Sequence, residues 1–298
     1  MTTRFGTIGF IGAGKVAGTL ARLWHKQGYK IAAVYSRSAR HAQTLAEAVG
    51  TQAVPSPEDV VAAADLTLLT VPDDAIISLA QSMAKMMPAL TSKGVVHTSG
   101  AHDAHSLESL AARGANVGSL HPAFPFTDVT NPAGSMAGTA FAVEAEDEKL
   151  REWLLELVAA LDAKALAIPA GGKVLYHAAL AIASNYTVTL YALAEQLLTT
   201  LGVTRADAGA ALNPLVTATV QNIVKQGIPG ALPGPLTRAD VGTIAAHLLA
   251  LDSVDEDIAV VYRQLARLSF PMLSERGIPL DGLERLLAQE ENYEKDNS

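Results

Sequence analysis

An α/β fold that gives way to an all-α second half is what this sequence predicts, on three observations. Short β-type apolar runs alternate with helical segments through the first 169 residues, as a parallel sheet with crossover helices requires. The first run, Thr7-Ile8-Gly9-Phe10-Ile11, breaks directly into Gly12-Ala13-Gly14-Lys15-Val16-Ala17-Gly18. Beyond Pro169-Ala170-Gly171-Gly172 no strand signal survives, and Ala/Leu-rich helical segments take over. Two domains are therefore expected, residues 1–169 and 170–298.

The first strand ends in the pattern G-x-G-x-x-A and continues as a helix through Thr19-Leu20-Ala21-Arg22-Leu23-Trp24. Gly12 permits the tight turn, Gly14 lets the backbone approach a pyrophosphate, and Ala17 lets the helix pack close to the strand. The helix start offers unpaired N–H groups and a positive dipole end to phosphates. This is a Rossmann-type dinucleotide fingerprint, with Gly12, Ala13, Gly14, Lys15 and Val16 as its binding residues. The second strand, Lys30 to Tyr35, runs into Ser36-Arg37-Ser38-Ala39-Arg40. An NAD site places an acid about 20 residues past the glycines to hold the ribose 2′-hydroxyl, yet no acid precedes Glu47. Ser36, Arg37 and Arg40 supply instead a hydroxyl and two guanidiniums suited to a 2′-phosphate, so NADP is favoured. The plainer alternative is a pair of solvated arginines at a helix start.

A helix from Ala39 to Val49, a short strand at Gln52-Ala53-Val54, and the punctuation of Pro55 and Pro57 come next. Leu66 to Val71 reads as a buried fourth strand stopped by Pro72, and a helix from Asp73 to about Met87 follows, with Asp73 or Asp74 as N-cap. Gly94 to Thr98 forms a fifth strand, a helix spans Ala104 to Arg113, and Asn116 to His121 forms a sixth strand. A Pro/Gly/Phe-rich loop leads to a strand at Thr139 to Glu144, a helix to Leu161, and a last strand at Ala165 to Ile168. Helices are then expected at Lys173–Leu201, Arg205–Lys225, Thr237–Ala250, Val254 to about Glu275, and from Leu283. The tail from Gln289 is highly polar and expected to fray.

Ligands of open parallel sheets collect at the strand C-terminal ends. Val71-Pro72 after the fourth strand is placed to line the ribose and nicotinamide side of the cofactor. Ser99-Gly100 follows the fifth strand and His121-Pro122 the sixth; each is a candidate for substrate contact, and a purely structural histidine is the alternative for His121. On the first helix of the second half, His177 lies about 40° and Ser184 about 20° from Lys173, with Asn185 about 80° from His177. An ammonium, an imidazole, a hydroxyl and an amide on one face are costly to bury without a use, although a solvated face would also accommodate them. Lys173 or His177 is the candidate proton donor or acceptor, with Asn185, Ser99 and His121 orienting the substrate. In Pro233-Gly234-Pro235-Leu236-Thr237-Arg238-Ala239-Asp240, Thr237 and Asp240 are spaced like a capping box, and Arg238 is an anion-binding candidate.

With 298 residues, 49% apolar and 17% charged, the chain can bury a sizeable core. The net charge of −8 argues against nucleic acid or an anionic membrane as main partner. The absence of cysteine excludes disulfides, thiolate catalysis and cysteine-based metal sites, and no metal is expected. The N-terminus shows no charged region, apolar stretch and cleavage site, and no run of 18 apolar residues exists. A cytoplasmic protein without a membrane span is the expectation.

Taken together, the glycine turn, Ser99-Gly100, and a Lys/His/Asn-bearing helix after a glycine pair resemble the 6-phosphogluconate dehydrogenase-like superfamily. His97-Thr98-Ser99-Gly100-Ala101, Ser119-Leu120-His121-Pro122, Lys173-x-x-Tyr176-His177 and Gly234-Pro235-Leu236-Thr237-Arg238-Ala239-Asp240 resemble one uncharacterised branch, in which a Rossmann-like domain precedes a helical domain of unknown function. The resemblance implies an NADP(H)-dependent hydride transfer on a small polar substrate in an interdomain cleft, and a homodimer formed through the helical domain. Lys173 after Gly171-Gly172 fits the family's lysine position, but the asparagine four residues later is His177 here, and Ala101 replaces a glycine of the substrate loop. A nucleotide-binding regulatory or scaffold protein without turnover is the competing class.

Overall fold

The computed structural model describes residues 6–126 and 136–288. The polar tail and part of the Pro/Gly/Phe-rich loop lie outside these. The chain divides into two compact units, residues 1–186 and 187–298.

The first unit is built on an eight-stranded sheet of order β3-β2-β1-β4-β5-β6-β7-β8. In chain order its elements are β1 (Ile8–Ile11), α1 (Lys15–Lys26), β2 (Ile31–Tyr35), α2 (Ala39–Ala48), β3 (Gln52–Ala53), α3 (Pro57–Ala63), β4 (Leu66–Leu69), α4 (Asp73–Met86) and β5 (Gly94–His97). A 3₁₀ turn at Ala104–Leu107 leads to α5 (Glu108–Ala111), then come β6 (Asn116–Pro122), β7 (Ala140–Ala145), α6 (Glu148–Ala159), β8 (Lys164–Ala167) and α7 (Lys173–Ala183). The strands are short and almost continuously apolar because both faces are covered. Ile8, Phe10, Leu66, Leu68 and Val96 pack with Leu20, Trp24, Leu154 and Leu157 on one side. Their neighbours Ile11, Leu69 and Val95 pack with Val60, Ile76, Met83 and Leu110 on the other, as the period of two demands. Fully buried Trp24 ties α1 to α6 by donating its indole N–H to the Leu157 carbonyl at 2.9 Å.

Six of the seven pairings are parallel, and β6 with β7 is antiparallel. The reversal follows from the connection: parallel strands need a crossover element, and none stands among the described residues between Pro122 and Ala140. It sets Glu144 opposite Ser119.

Local chemistry corrects several sequence expectations. Neither Asp73 nor Asp74 caps α4; Pro72 holds the N-cap position, and the two carboxylates sit in the first turn, where they favour the helix dipole. The helix expected over Ala104–Arg113 is a 3₁₀ turn followed by one α-turn. The helix expected from Lys173 to Leu201 breaks at Ser184, and α8 (Asn185–Thr200) begins anew, at two residue types whose side chains compete for backbone hydrogen bonds.

The second unit takes in most of α8 and continues with α9 (Arg205–Gln226), α10 (Val241–Asp252), α11 (Glu256–Leu268), α12 (Phe270–Glu275) and α13 (Asp281–Ala288). Its core joins Ile244, Leu248, Leu273, Leu283 and Leu287. Thr237 and Asp240 do not form a capping box. Asp240 is itself the N-cap of α10, accepting from the Thr243 N–H at 3.0 Å, while the Thr237 hydroxyl donates to the Gly234 carbonyl. Arg238 stands in the 3₁₀ turn before it. Ser269 divides the helix expected from Val254 to Glu275. No helix among the described residues is long and apolar enough to cross a membrane.

Candidate functional site

A cavity of about 670 Å³ opens at the C-terminal ends of β1, β2 and β4. Gly12 turns the chain there at φ +107°, and a Cβ on it would lie 2.3 Å from the Thr70 carbonyl oxygen. Thr70 fixes the turn, its hydroxyl donating to the Ile11 and Gly12 carbonyls at 3.1 Å each. Gly14 is the N-cap of α1, carries no side-chain cap, and has nothing within 4 Å of where a Cβ would stand. Open space in front of unpaired N–H groups, with no acid in the first turn, is what a pyrophosphate requires. The residues therefore fit a dinucleotide.

Among the predicted cofactor residues, Gly12, Ala13, Gly14, Ser36, Arg37, Val71 and Pro72 line this cavity. Lys15 and Val16 are in the first turn of α1 and are not part of its lining. Arg40 lines the adjoining hollow along α2 and Pro55 rather than this one, whereas Arg37 borders both. Thr70, Ser38, His41 and Glu58 also line the cavity and escape the sequence reading. Ser38 is legible afterwards as the N-cap of α2, its hydroxyl accepting from the His41 N–H at 3.4 Å.

A second cluster stands at the C-terminal ends of β5 and β6. Lys173, 4% exposed, donates from Nζ to the Ser119 hydroxyl at 2.8 Å. His121 Nδ1 and the Tyr176 hydroxyl share a hydrogen bond of 3.0 Å. The His177 ring lies edge-on to His121 at 6.1 Å, and Gly100 makes room for the pair. A Cβ there would meet His177 Cδ2 at 2.6 Å and His121 Nε2 at 2.8 Å. His97 is fully buried; its Nδ1 accepts from the Ser99 N–H at 3.2 Å and its Nε2 faces the Asp103 carbonyl at 2.8 Å. The Ser99 hydroxyl closes the loop, accepting from the Ala101 and His102 N–H groups at 3.1 Å each.

The predicted residues fall into two groups. Lys173 and Ser99 are buried against β6 and the β5 loop. His121 and His177 line a groove of about 350 Å³ with Ser184, Asn185, Leu180 and Phe124. Sequence periodicity missed His97, Ser119 and Tyr176. The signal for Ser119 lay in its spacing, two residues before His121 and so on the same strand face.

Burial governs the protonation of this cluster. It pushes His97 down to about 4 against the opposing hydrogen bond to the Asp103 carbonyl. Burial, then the Lys173 and His177 charges, push His121 down to about 4. The Tyr176 hydroxyl is pushed up to about 12 by burial. Burial also lowers Lys173, with Glu144, Asp103 and Asp73 acting in the opposite sense. Asp73 directly follows Pro72 of the dinucleotide cavity, and its charge acts on His97, His121 and Lys173. The two sites therefore adjoin along one edge of the sheet.

Two family models match the chain. Residues 7–99 match the NADP oxidoreductase, coenzyme F420-dependent, family, and residues 139–269 match a domain of unknown function, DUF2520. The chain is thus similar to an NADP oxidoreductase family over residues 7–99 and to DUF2520 over residues 139–269. Among solved structures it is similar to a protein of Thermotoga maritima, at 24% identity and TM-score 0.72, covering 90% of this chain and 99% of that one. It is also similar to the reductive aminase of Aspergillus terreus in complex with NADPH and ethyl-5-oxohexanoate, at 18% identity and TM-score 0.62, covering 98% and 94%. A third is 1-pyrroline-5-carboxylate reductase from Streptococcus pyogenes, at 14% identity and TM-score 0.60, covering 90% and 98%. These likenesses show the fold. No curated protein matches the sequence.

The shifts of His97 and His121 predict a pH effect on stability. Unfolded, each imidazole takes up a proton near 6.5; folded, only near 4. Between these values the unfolded chain binds more protons, so acidification favours it. The stabilisation present above pH 6.5 is lost progressively towards pH 4. Urea midpoints of wild type and His97→Asn across that range test this: the variant's curve should be flatter, and parallel curves would contradict it.

Proposed function

We propose that the protein is an NADP(H)-dependent oxidoreductase that transfers a hydride to or from a small polar substrate. The observation that carries the reading is Lys173: an amine 4% exposed, held on Ser119, on the sheet edge that also bears the dinucleotide cavity. A buried ionisable group with a lowered pKa beside a cofactor cavity is a candidate acid–base group. The match of residues 7–99 to an NADP oxidoreductase family supports the cofactor. So does NADPH in the similar Aspergillus terreus enzyme.

When bound, NADP(H) supplies or accepts the hydride. The uncapped start of α1 and Gly14 would hold the pyrophosphate, and Arg37 with Ser36 would hold the 2′-phosphate. Lys173 gives a proton to the substrate heteroatom during reduction and takes it back during oxidation. Burial, by lowering its pKa, makes that ammonium a stronger acid than a solvated lysine. His121, His177 and Asn185 orient the substrate in their groove, and Ser99 keeps the loop beside it in shape.

The exposed apolar side chains of the helical part support self-association. Leu215 and Val224 on α9 are 62% and 81% exposed, and α8 contains no buried residue. A homodimer through these helices is part of the proposal, and sedimentation should return twice the 31.1 kDa of one chain; a monomer would remove this part.

Arg37→Ala should weaken NADPH about 10- to 100-fold, as expected for lost charge-assisted hydrogen bonds, with NADH nearly unchanged. Fluorescence titration checks this, and equal losses for both cofactors would sink the 2′-phosphate assignment. Lys173→Ala should lower the turnover of any accepted substrate about 10²–10⁴-fold while leaving NADPH affinity intact. NADPH absorbance over a panel of small keto acids, imines and aldehydes gives the readout. Tight NADPH binding with no turnover on any of them would favour a regulatory protein.

A further inference from the structure

His121 combines three properties that the hydride-transfer reading does not by itself require. Its Nδ1 is engaged by the Tyr176 hydroxyl at 3.0 Å. Its Nε2 has no hydrogen-bond partner among the described residues, yet it is not sealed from solvent. That nitrogen faces the gap left by Gly100, where a Cβ would come within 2.8 Å of it, and the ring borders the groove of Leu180, Ser184 and Asn185. The fold supplies one phenol to one imidazole nitrogen and keeps the other nitrogen available.

We propose that Tyr176 is a positioning residue that holds His121 as an Nε2–H donor, and that this donor receives the oxygen of a ketone or aldehyde rather than the nitrogen of an iminium ion.

The assigned tautomer is the one in which the phenol of this pair donates, the direction that leaves an N–H for a ligand. When the phenol donates to Nδ1, a neutral imidazole carries its proton on Nε2. Burial keeps the phenol protonated and the imidazole neutral at ordinary pH. A neutral imidazole that donates to developing negative charge stabilises an oxyanion without itself titrating.

The preference for oxygen follows from charge. A protonated imine has no lone pair for an N–H donor, and it carries a positive charge into a place already hostile to one. The Lys173 ammonium is the source of that hostility: its Nζ stands 5.9 Å from the centre of the Tyr176 ring that engages His121, and its charge acts against protonation of His121 ahead of the opposing Asp73 carboxylate. Glu144 and Asp103 act on Lys173 itself. An alkoxide forming beside Nε2–H and the Lys173 ammonium meets favourable charge instead. During reduction the hydride of the nicotinamide dinucleotide bonds to the carbonyl carbon and the C=O π pair moves to oxygen. The Lys173 proton then completes the hydroxyl, leaving a neutral amine and the oxidised dinucleotide.

The inference rests on the oxidoreductase reading for its chemistry, but binding tests it without turnover. ¹⁵N-labelled full-length protein loaded with NADP⁺ is titrated with cyclopentanone and, separately, with the permanently charged N-methyl-1-pyrrolinium of the same ring size. His121 should show Nε2–H with Nδ1 as acceptor. Cyclopentanone should shift Nε2 at concentrations at least tenfold below those the pyrrolinium needs. Tyr176→Phe should mix the two tautomers and weaken cyclopentanone at least fivefold with NADP⁺ affinity unchanged, a pattern that a merely structural role would not give. A proton on Nδ1, an equal or tighter pyrrolinium, or no response of His121 to the ketone would each overturn the proposal. No turnover of any member of the keto acid, imine and aldehyde panel by the NADPH-loaded protein, with the ketone-specific shift intact, would remove the oxidoreductase reading and leave this assignment standing.

Discussion

The bond from Lys173 to Ser119 is the constraint on which the second site depends. A lysine carries its charge into a buried position only where a partner satisfies it, and here the partner is a fully buried hydroxyl on β6. Because Lys173 opens α7, that bond fixes where the helix leaves the sheet. One turn on, Tyr176 and His177 are thereby brought to His121. Removing the hydroxyl would leave a buried ammonium short of an acceptor, a larger loss than one neutral hydrogen bond. Removing the charge would instead free the helix start.

The dinucleotide turn is constrained in a different manner, by sterics. Gly12 is pressed against the Thr70 carbonyl, while Gly14 faces empty space. The two glycines of one motif thus serve opposite needs, a close contact within the fold and an opening beyond it. Thr70 bridges the motif to β4 through its hydroxyl, so the turn is held from a strand far away in sequence.

Legibility in the sequence followed the range of the interactions involved. The strands, their parallel run and the Gly12–Gly14 turn are local patterns of apolarity and backbone freedom, and they could be read directly. Arg37 and Ser36 were legible because a strand end leads straight to them. Arg40 was placed with them by proximity in sequence, but successive residues of a helix start point about 100° apart, and it borders the neighbouring hollow. His41, one residue further, faces the cavity instead. Ser119 and Tyr176 stand in the motifs that carry the family resemblance, but their contacts with Lys173 and His121 are not legible from local pattern. Their roles arise from the pairing of Ser119 with His97 across β5 and β6, and from the approach of α7 to β6. The break at Ser184 likewise reversed a prediction made from helical period alone, and it places Ser184 and Asn185 at a groove rather than along a continuous stripe.

The antiparallel pairing of β6 with β7 has a modular consequence. The DUF2520 match begins at residue 139, at the start of β7, and runs to residue 269. It therefore contains Glu144, whose charge favours the protonated form of Lys173, together with Lys173 and Tyr176. Lys173, Glu144 and Tyr176 fall within one matched block, while Ser119 and His121 lie in the stretch between the two matched regions. A protein sharing only that second region would carry this lysine, carboxylate and phenol together, and would need from a neighbouring strand a hydroxyl and an imidazole two residues apart to complete the same contacts.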